Sequence, residues 1–296
     1  MILEFHSGVV TAKLESSQKI LVSNVSFALK ERECLALIGE TGSGKTMTAM
    51  VLMGLLPSNV TAADARIFFC GTPIPKSRQK LLGTEMVYIP QNGLEFLNPS
   101  KKVRYHLHDS LQKLGIPRKL WETTAIQKLS AVGFEQPESV SDKYPFQLSG
   151  GMAQRVTIAI SACSRAKLVI ADEPTNGLDH EAKVRFMDML KKIFPEAAKL
   201  IITHDIGVAA LCDKTLVLCG GKTVETGPSD VLLCQPKHPY TTALIGALVK
   251  NGMRETPVLR SGRHDCPFYT KCVQADESCS YCNKQDSNRE WWCSRV

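Results

Sequence analysis

The 296-residue chain has no apolar run near the ~18 residues that a membrane-crossing helix needs. One of its most apolar stretches, Leu35 to Ile38, is stopped by Gly39. The opening MILEFHSGVV has neither the basic start nor the apolar core of a secretory signal. The expectation is therefore a cytosolic chain that meets a membrane only through a partner. Basic residues are in excess, giving a formal net charge of +7, yet no block of five or six Lys/Arg occurs. Scattered basic residues read as a solvated surface, which argues against nucleic acid as a partner. No internal repeat and no heptad run is present, so solenoids and long coiled coils are set aside. A hydrophobic content of 44% is enough for an ordinary globular core.

Cysteine, by contrast, is abundant. Six of the eleven are spread over the first 234 residues, mostly in apolar settings such as Cys34, Cys163 and Cys219, and read as small core residues. The other five fall within the last 31 residues. Disulfides are disfavoured in a reducing compartment, so thiols clustered in this way point to metal ligation.

The pattern along the chain predicts an α/β fold. Residues 3 to 30 alternate apolar and polar positions, as in short antiparallel strands. Cys34 to Ile38, Met86 to Ile89, Leu168 to Ala171 and Leu200 to Thr203 read as buried strands, and Thr46 to Leu56, Gly150 to Ser164 and about His180 to Phe194 as helices. Residues 92 to 147 read as a helical insertion containing Tyr105 to Leu114 and Trp121 to Val132. Gly220-Gly221 between Thr215–Cys219 and Lys222–Glu225 signals a hairpin. Strands alternating with helices imply a mostly parallel sheet covered on both faces. The character changes near residue 230, which divides a 1–230 domain from a 231–296 extension with helical segments at Asp230–Leu233 and Tyr240–Leu248.

Five short motifs carry chemistry. Gly39-Glu40-Thr41-Gly42-Ser43-Gly44-Lys45-Thr46 fits G-x-x-x-x-G-K-[ST] after a strand and before a helix. Such a loop cradles phosphates with its amides and with the positive end of the helix. Lys45 is placed for the β and γ phosphates and Thr46 for Mg²⁺. Asp172 and Glu173 follow a buried strand, where Asp172 can hold Mg²⁺ through water and Glu173 can orient an attacking water. His204 follows another strand and can donate to a γ phosphate. Gln91 can ligate Mg²⁺ through its amide oxygen and bond a water. Ser149-Gly150-Gly151 opens a second anion-binding helix start. One chain with one complete cradle has no use for a second, unless it closes over the nucleotide of another subunit. Taken singly, each motif except the first has an ordinary structural reading as a turn or a capped helix.

In this order, the motifs resemble the ATP-binding subunits of ABC transporters over about residues 1 to 230. The resemblance implies a P-loop NTPase (RecA-like) core with an antiparallel β subdomain and a helical subdomain at about 92–147. It casts Gly39–Thr46 as the Walker A loop, Gln91 as the Q-loop, Leu148 to Gln154 as the signature, Asp172 and Glu173 as Walker B and the catalytic Glu, Asp179 in the D-loop, and His204 as the switch histidine. It further implies ATP with Mg²⁺, a head-to-tail nucleotide sandwich in which Ser149 faces the partner's γ phosphate, and a location on the cytoplasmic face of the membrane.

LSGGMAQR with Met152, LNPS at Leu97 to Ser100, and QPKHPYTTALIGAL at Gln235 to Leu248 are similar to the oligopeptide, dipeptide and nickel importer group. That group implies a second, paralogous ATPase subunit, two permeases and an extracytoplasmic binding protein. Its C-terminal C-x5-C-x6-C…C segment resembles Cys266, Cys272, Cys279 and Cys293 here and implies a [4Fe–4S] cluster, with zinc the competing occupant and Cys282 an extra candidate ligand.

Two departures stand out: Ala12 where the family has an aromatic residue for adenine, with Phe5 the nearest aromatic, and TNGLD in the D-loop. A soluble ABC ATPase of DNA repair or translation is the rival reading. Against it, Lys45 and Asp172 lie 127 residues apart without a coiled coil, and there is one cassette. An ATP-switched iron–sulfur protein is a third reading, opposed by the complete hydrolytic set.

Overall fold

The computed structural model describes residues 1–15, 17–75, 78, 80–248, 256, 258–261, 264–286 and 288–296. Strands β1 (Leu3–His6), β2 (Val9–Lys13), β3 (Gln18–Ser23), β4 (Ser26–Leu29) and β5 (Cys34–Ile38) precede helix α1 (Lys45–Met53). Then come β6 (Val60–Ala63), β7 (Arg66–Phe69), β8 (Thr72–Pro73) and β9 (Met86–Ile89). Helices α2 (Gly93–Phe96), α3 (Val103–Lys113), α4 (Trp121–Ala131), α5 (Pro137–Ser141) and α6 (Gly150–Ser161) follow. The chain continues through β10 (Leu168–Asp172), α7 (His180–Ile193), β11 (Ala198–Thr203), α8 (Ile206–Ala209), β12 (Lys214–Cys219) and β13 (Lys222–Pro228). It closes with α9 (Ser229–Cys234), α10 (Pro239–Gly246), β14 (Asn283–Asp286) and β15 (Arg289–Trp292). There are two compact units, Met1–Lys76 with Ile202–Val296, and Ser77–Ile201. They do not follow the change of sequence character near residue 230.

The first unit holds the antiparallel subdomain as two small sheets, ordered β4-β1-β7-β8 and β3-β2-β6. Its third sheet runs β14-β15-β13-β12-β5. In it β5 pairs β12 in parallel, from Lys214 opposite Leu35 to Val217 opposite Ile38. All five residues of β5 are buried, as its unbroken apolar run requires. Burying Leu35, Leu37 and Ile38 contributes roughly 2 kcal/mol each. Helix α1 ends earlier than Pro57 would dictate, because the Gly54 N–H closes the last turn on the Met50 and Val51 carbonyls.

The tail differs from expectation, because it extends this sheet. Strand β15 pairs β13, placing Trp291 opposite Glu225, and β14 pairs β15. A buried ion pair fixes the junction: Arg289 Nε and Nη2 donate to Glu225 Oε1 at 3.1 and 2.6 Å. Glu225 is completely buried and also accepts the Lys237 and His238 amides, each at 2.9 Å. Removing one member of such a pair costs about 3–5 kcal/mol. His238 then caps α10, its Nδ1 accepting the Tyr240 amide at 3.0 Å. Burial pushes the His238 imidazole down to about 4, so it is neutral.

In the second unit β9 pairs β10 in parallel, from Met86 opposite Leu168 to Ile89 opposite Ala171. Helices α3, α4 and α5 pack on one another, and α3 and α4 also pack on α6. Residues 92–147 are thus helical through α2 to α5. Helix α7 buries Phe186, Met187 and Leu190, with Glu181 in its first turn and Lys191 and Lys192 in its last, as the helix dipole favours. Strand β11 carries the chain from the second unit back into the first.

Candidate functional site

In the first unit, β5 delivers the chain to a loop whose shape depends on Gly39. At φ 152°, any Cβ there would lie 2.2 Å from the Leu218 carbonyl oxygen. The loop closes through Ser43 N donating to the Glu40 carbonyl at 3.1 Å, and Gly44 leads into α1. Lys45 is only 7% exposed, and its ammonium donates to the Gly39 and Glu40 carbonyls at 2.7 and 3.1 Å. The Ser43 hydroxyl is buried and has no hydrogen-bond partner among the described residues. A buried ammonium beside an unsatisfied hydroxyl is a cradle for an anion with several oxygens. Thr41, Gly42 and the Thr46 hydroxyl-bearing side chain are exposed at its rim.

Two further features of this unit bear on the site. His204 is exposed between Thr203, the last residue of β11, and Asp205. Asp205 caps α8 by accepting the Gly207 and Val208 amides at 2.7 and 3.4 Å. Ala12 is buried in β2. Phe5 is no substitute platform for a base, because its ring is fully buried and stacks on Phe27 at 4.8 Å.

In the second unit, Asp172 ends β10 and is 5% exposed, its Oδ2 accepting the Tyr88 hydroxyl at 3.4 Å. Burial and the Asp172 charge push the Tyr88 phenol up to about 12. Glu173 follows in a left-handed conformation, φ 46°. Glu rarely adopts this conformation, and such strain concentrates where a side chain must be aimed. Gln91 is exposed after β9, next to Asn92, which caps α2 by accepting the Leu94 amide at 3.1 Å. Helix α2 packs on α6 so closely that a Cβ on Gly93 would lie 2.9 Å from the Ala153 carbonyl carbon.

Ser149 caps α6, its Oγ accepting the Met152 amide at 3.2 Å, while Gly150 and Gly151 face open space. Beside them is a cavity of about 690 Å³ lined in part by Met152, Arg155, Leu178 and Phe186. Gln154 Nε2 donates to the Pro174 carbonyl, tying α6 to the loop that carries Glu173. Asp179 has a structural task here: its Oδ1 accepts the Ala182 amide at 2.8 Å and caps α7.

In the tail, the Cys279 and Cys293 sulfurs accept the Asp276 and Arg295 backbone N–H groups, each at 3.4 Å. Burial raises the Cys266 and Cys272 thiols, and the neighbouring sulfurs of Cys279 and Cys293 raise them further. Among the described residues, no group of three or more His, Cys, Asp or Glu side chains is drawn together closely enough to hold a metal ion. The donor chemistry suits a thiolate centre, although the sulfurs are not gathered around one point.

Gly39–Thr46 and His204 thus belong to one unit, and Gln91, Ser149–Gly151, Asp172, Glu173 and Asp179 to the other. Sequence reasoning gave no role to Tyr240, whose hydroxyl accepts the Glu40 amide at 2.9 Å, although it lies within a segment already singled out. The same holds for Tyr88 and Gln154.

The ABC transporter family profile matches residues 22–176, and the C-terminal region profile of oligopeptide/dipeptide transporters matches 224–279. The chain is 34% identical over 282 residues to the dipeptide transport ATP-binding protein DppD of Escherichia coli (strain K12), covering 90% of this chain and 86% of that one. It is 33% identical over 293 residues to the oligopeptide transport ATP-binding protein OppD of Haemophilus influenzae, covering 94% and 88%. It is 34% identical over 240 residues to the nickel import ATP-binding protein NikD of Brucella abortus, covering 80% and 91%. Among solved structures, the dimeric post-hydrolysis state of the ATP-binding cassette MJ0796 bound to ADP and Pi matches with a TM-score of 0.67 at 22% identity, over 77% of this chain and 99% of that one.

Proposed function

The chain belongs to the ABC transporter family, as an ATP-hydrolysing importer subunit, and from that premise we propose a division of labour among its residues. The observation that carries the proposal is the cradle itself, with the buried Lys45 ammonium beside the unsatisfied Ser43 hydroxyl. In this reading the amides of residues 39 to 46 and the Lys45 ammonium hold the β and γ phosphates of ATP. The Thr46 hydroxyl, the Gln91 amide and the Asp172 carboxylate are hard oxygen donors of the kind Mg²⁺ takes, and Mg²⁺ would neutralise the phosphate charge. Glu173, aimed by its left-handed backbone, orients the attacking water and accepts its proton. His204 donates to the γ phosphate. Ser149, Gly150 and Gly151 present free amides to the nucleotide of a second ATPase subunit, with Asp179 at that same face. The open surroundings of Gly150 and Gly151 support this assignment.

The cargo class is peptides, nickel or metal chelates, by similarity to DppD, OppD and NikD. The partners are a paralogous ATPase, two permeases and an extracytoplasmic binding protein, with the chain peripheral on the cytoplasmic face of the membrane. Among the described residues no helix is long and apolar enough to cross it. Cys266, Cys272, Cys279 and Cys293 would hold a [4Fe–4S] cluster. The N–H···S bonds to Cys279 and Cys293 would stabilise thiolates and tune such a centre.

Two measurements test the reading. Glu173→Gln should retain ATP binding, trap an ATP-bound dimer and lower hydrolysis about a hundredfold or more; normal turnover would remove Glu173 from its role. Anaerobically purified chain should be brown and contain iron and sulfide. Colourless protein with one zinc per chain would replace the cluster with a zinc site.

A further inference from the structure

The first unit supports its nucleotide cradle from outside, through the tail. The Glu40 amide donates outward to the Tyr240 hydroxyl at 2.9 Å. Tyr240 is 2% exposed, its backbone is held by His238, and the Phe268 ring meets it edge-on at 5.3 Å between centroids. Lys271 Nζ lies 3.8 Å from the Glu40 carboxylate. Phe268 and Lys271 both fall between Cys266 and Cys272. A second contact runs alongside. Gly221 N donates to the Ser43 carbonyl at 3.0 Å, and a Cβ on the adjacent Gly220 would meet Pro267 at 3.0 Å. Lys222 Nζ completes this side by donating to the Asp265 carbonyl at 2.8 Å.

Each contact has a consequence for a bound triphosphate. Tyr240 turns the Glu40 amide outward and so helps to fix which loop amides point inward. The Glu40 carboxylate would repel a phosphate chain, and Lys271 offsets that charge. Both supports are carried or braced by the segment that separates the first two cysteines.

We propose that Tyr240 and Lys271 are positioning residues of the cradle, which set this chain's own nucleotide affinity from outside the loop. The proposal rests on the reading of Gly39–Thr46 as a nucleotide site.

The test is equilibrium binding of a fluorescent, non-hydrolysable ATP analogue with Mg²⁺ to the full chain, with the thermal midpoint measured on the same samples. Tyr240→Phe keeps the ring and removes the acceptor; it should weaken binding about three- to tenfold. Lys271→Ala should weaken it about two- to threefold. The proposal is overturned if Tyr240→Phe and Lys271→Ala bind as the unaltered chain does, or if they lose affinity only together with a lowered thermal midpoint. Failure of the unaltered chain to bind the analogue would instead overturn the nucleotide reading beneath it.

Discussion

The chain has two glycine-marked helix starts, and they are finished to different degrees. The start of α1 is enclosed: Lys45 is 7% exposed, Ser43 is 4% exposed, and Gly39 lies against the Leu218 carbonyl. The start of α6 has a serine cap and two glycines with nothing within 4 Å of where a Cβ would stand. Both ends offer amides to an anion. Only the first surrounds that anion with its own chain. On the function proposed above, a helix start left this bare is completed by the nucleotide of a second ATPase subunit.

The sharpest way to break the comparison is to disable each helix start in a mixed assembly whose two subunits can be told apart. Lys45→Ala should weaken nucleotide binding about a hundredfold at its own subunit's site, since a charge-assisted contact is lost. Ser149→Ala should leave binding at its own site unchanged and lower turnover at the partner's site about tenfold, with about 1 kcal/mol of stability lost with the cap. Site-resolved binding and hydrolysis measure both, and an effect of Ser149→Ala confined to its own site would dissolve the contrast.

A smaller effect sharpens it. The enclosed cradle leans on Tyr240, which leans on a neutral His238. The folded imidazole takes a proton only near pH 4, while the unfolded one does so near 6.5. The unfolded state therefore binds more protons in between. Stability is complete above about pH 6.5 and falls by about 3 kcal/mol as the pH drops toward 4. Asn can still accept the Tyr240 amide, so thermal midpoints of His238→Asn should show a shallower acid slope than those of the unaltered chain.

What the sequence disclosed and what it withheld divide along physical lines. The β5 strand, the loop after it and the Gly220-Gly221 hairpin are local, written in a run of apolar residues or a glycine spacing, and they were readable. Nothing local in β14 or β15 marks them as strands of the main sheet. Their place is set by Arg289 reaching Glu225, 64 residues away. The Tyr240 contact with Glu40 spans 200 residues and follows only once the fold exists. The left-handed turn at Glu173 was hidden for the opposite reason, since residue type argues against it. Asp179 shows a further limit: a motif position marks a residue without separating a capping carboxylate from one that meets ligand.

The close approach of Gly93 to the backbone of α6 has one more consequence. Gln91 stands two residues before it, and Gln154, on the same helix, grips the Pro174 carbonyl next to Glu173. A Cβ at Gly93 would have to push α2 away from α6, and so would move Gln91 relative to the helix that grips the Pro174 carbonyl.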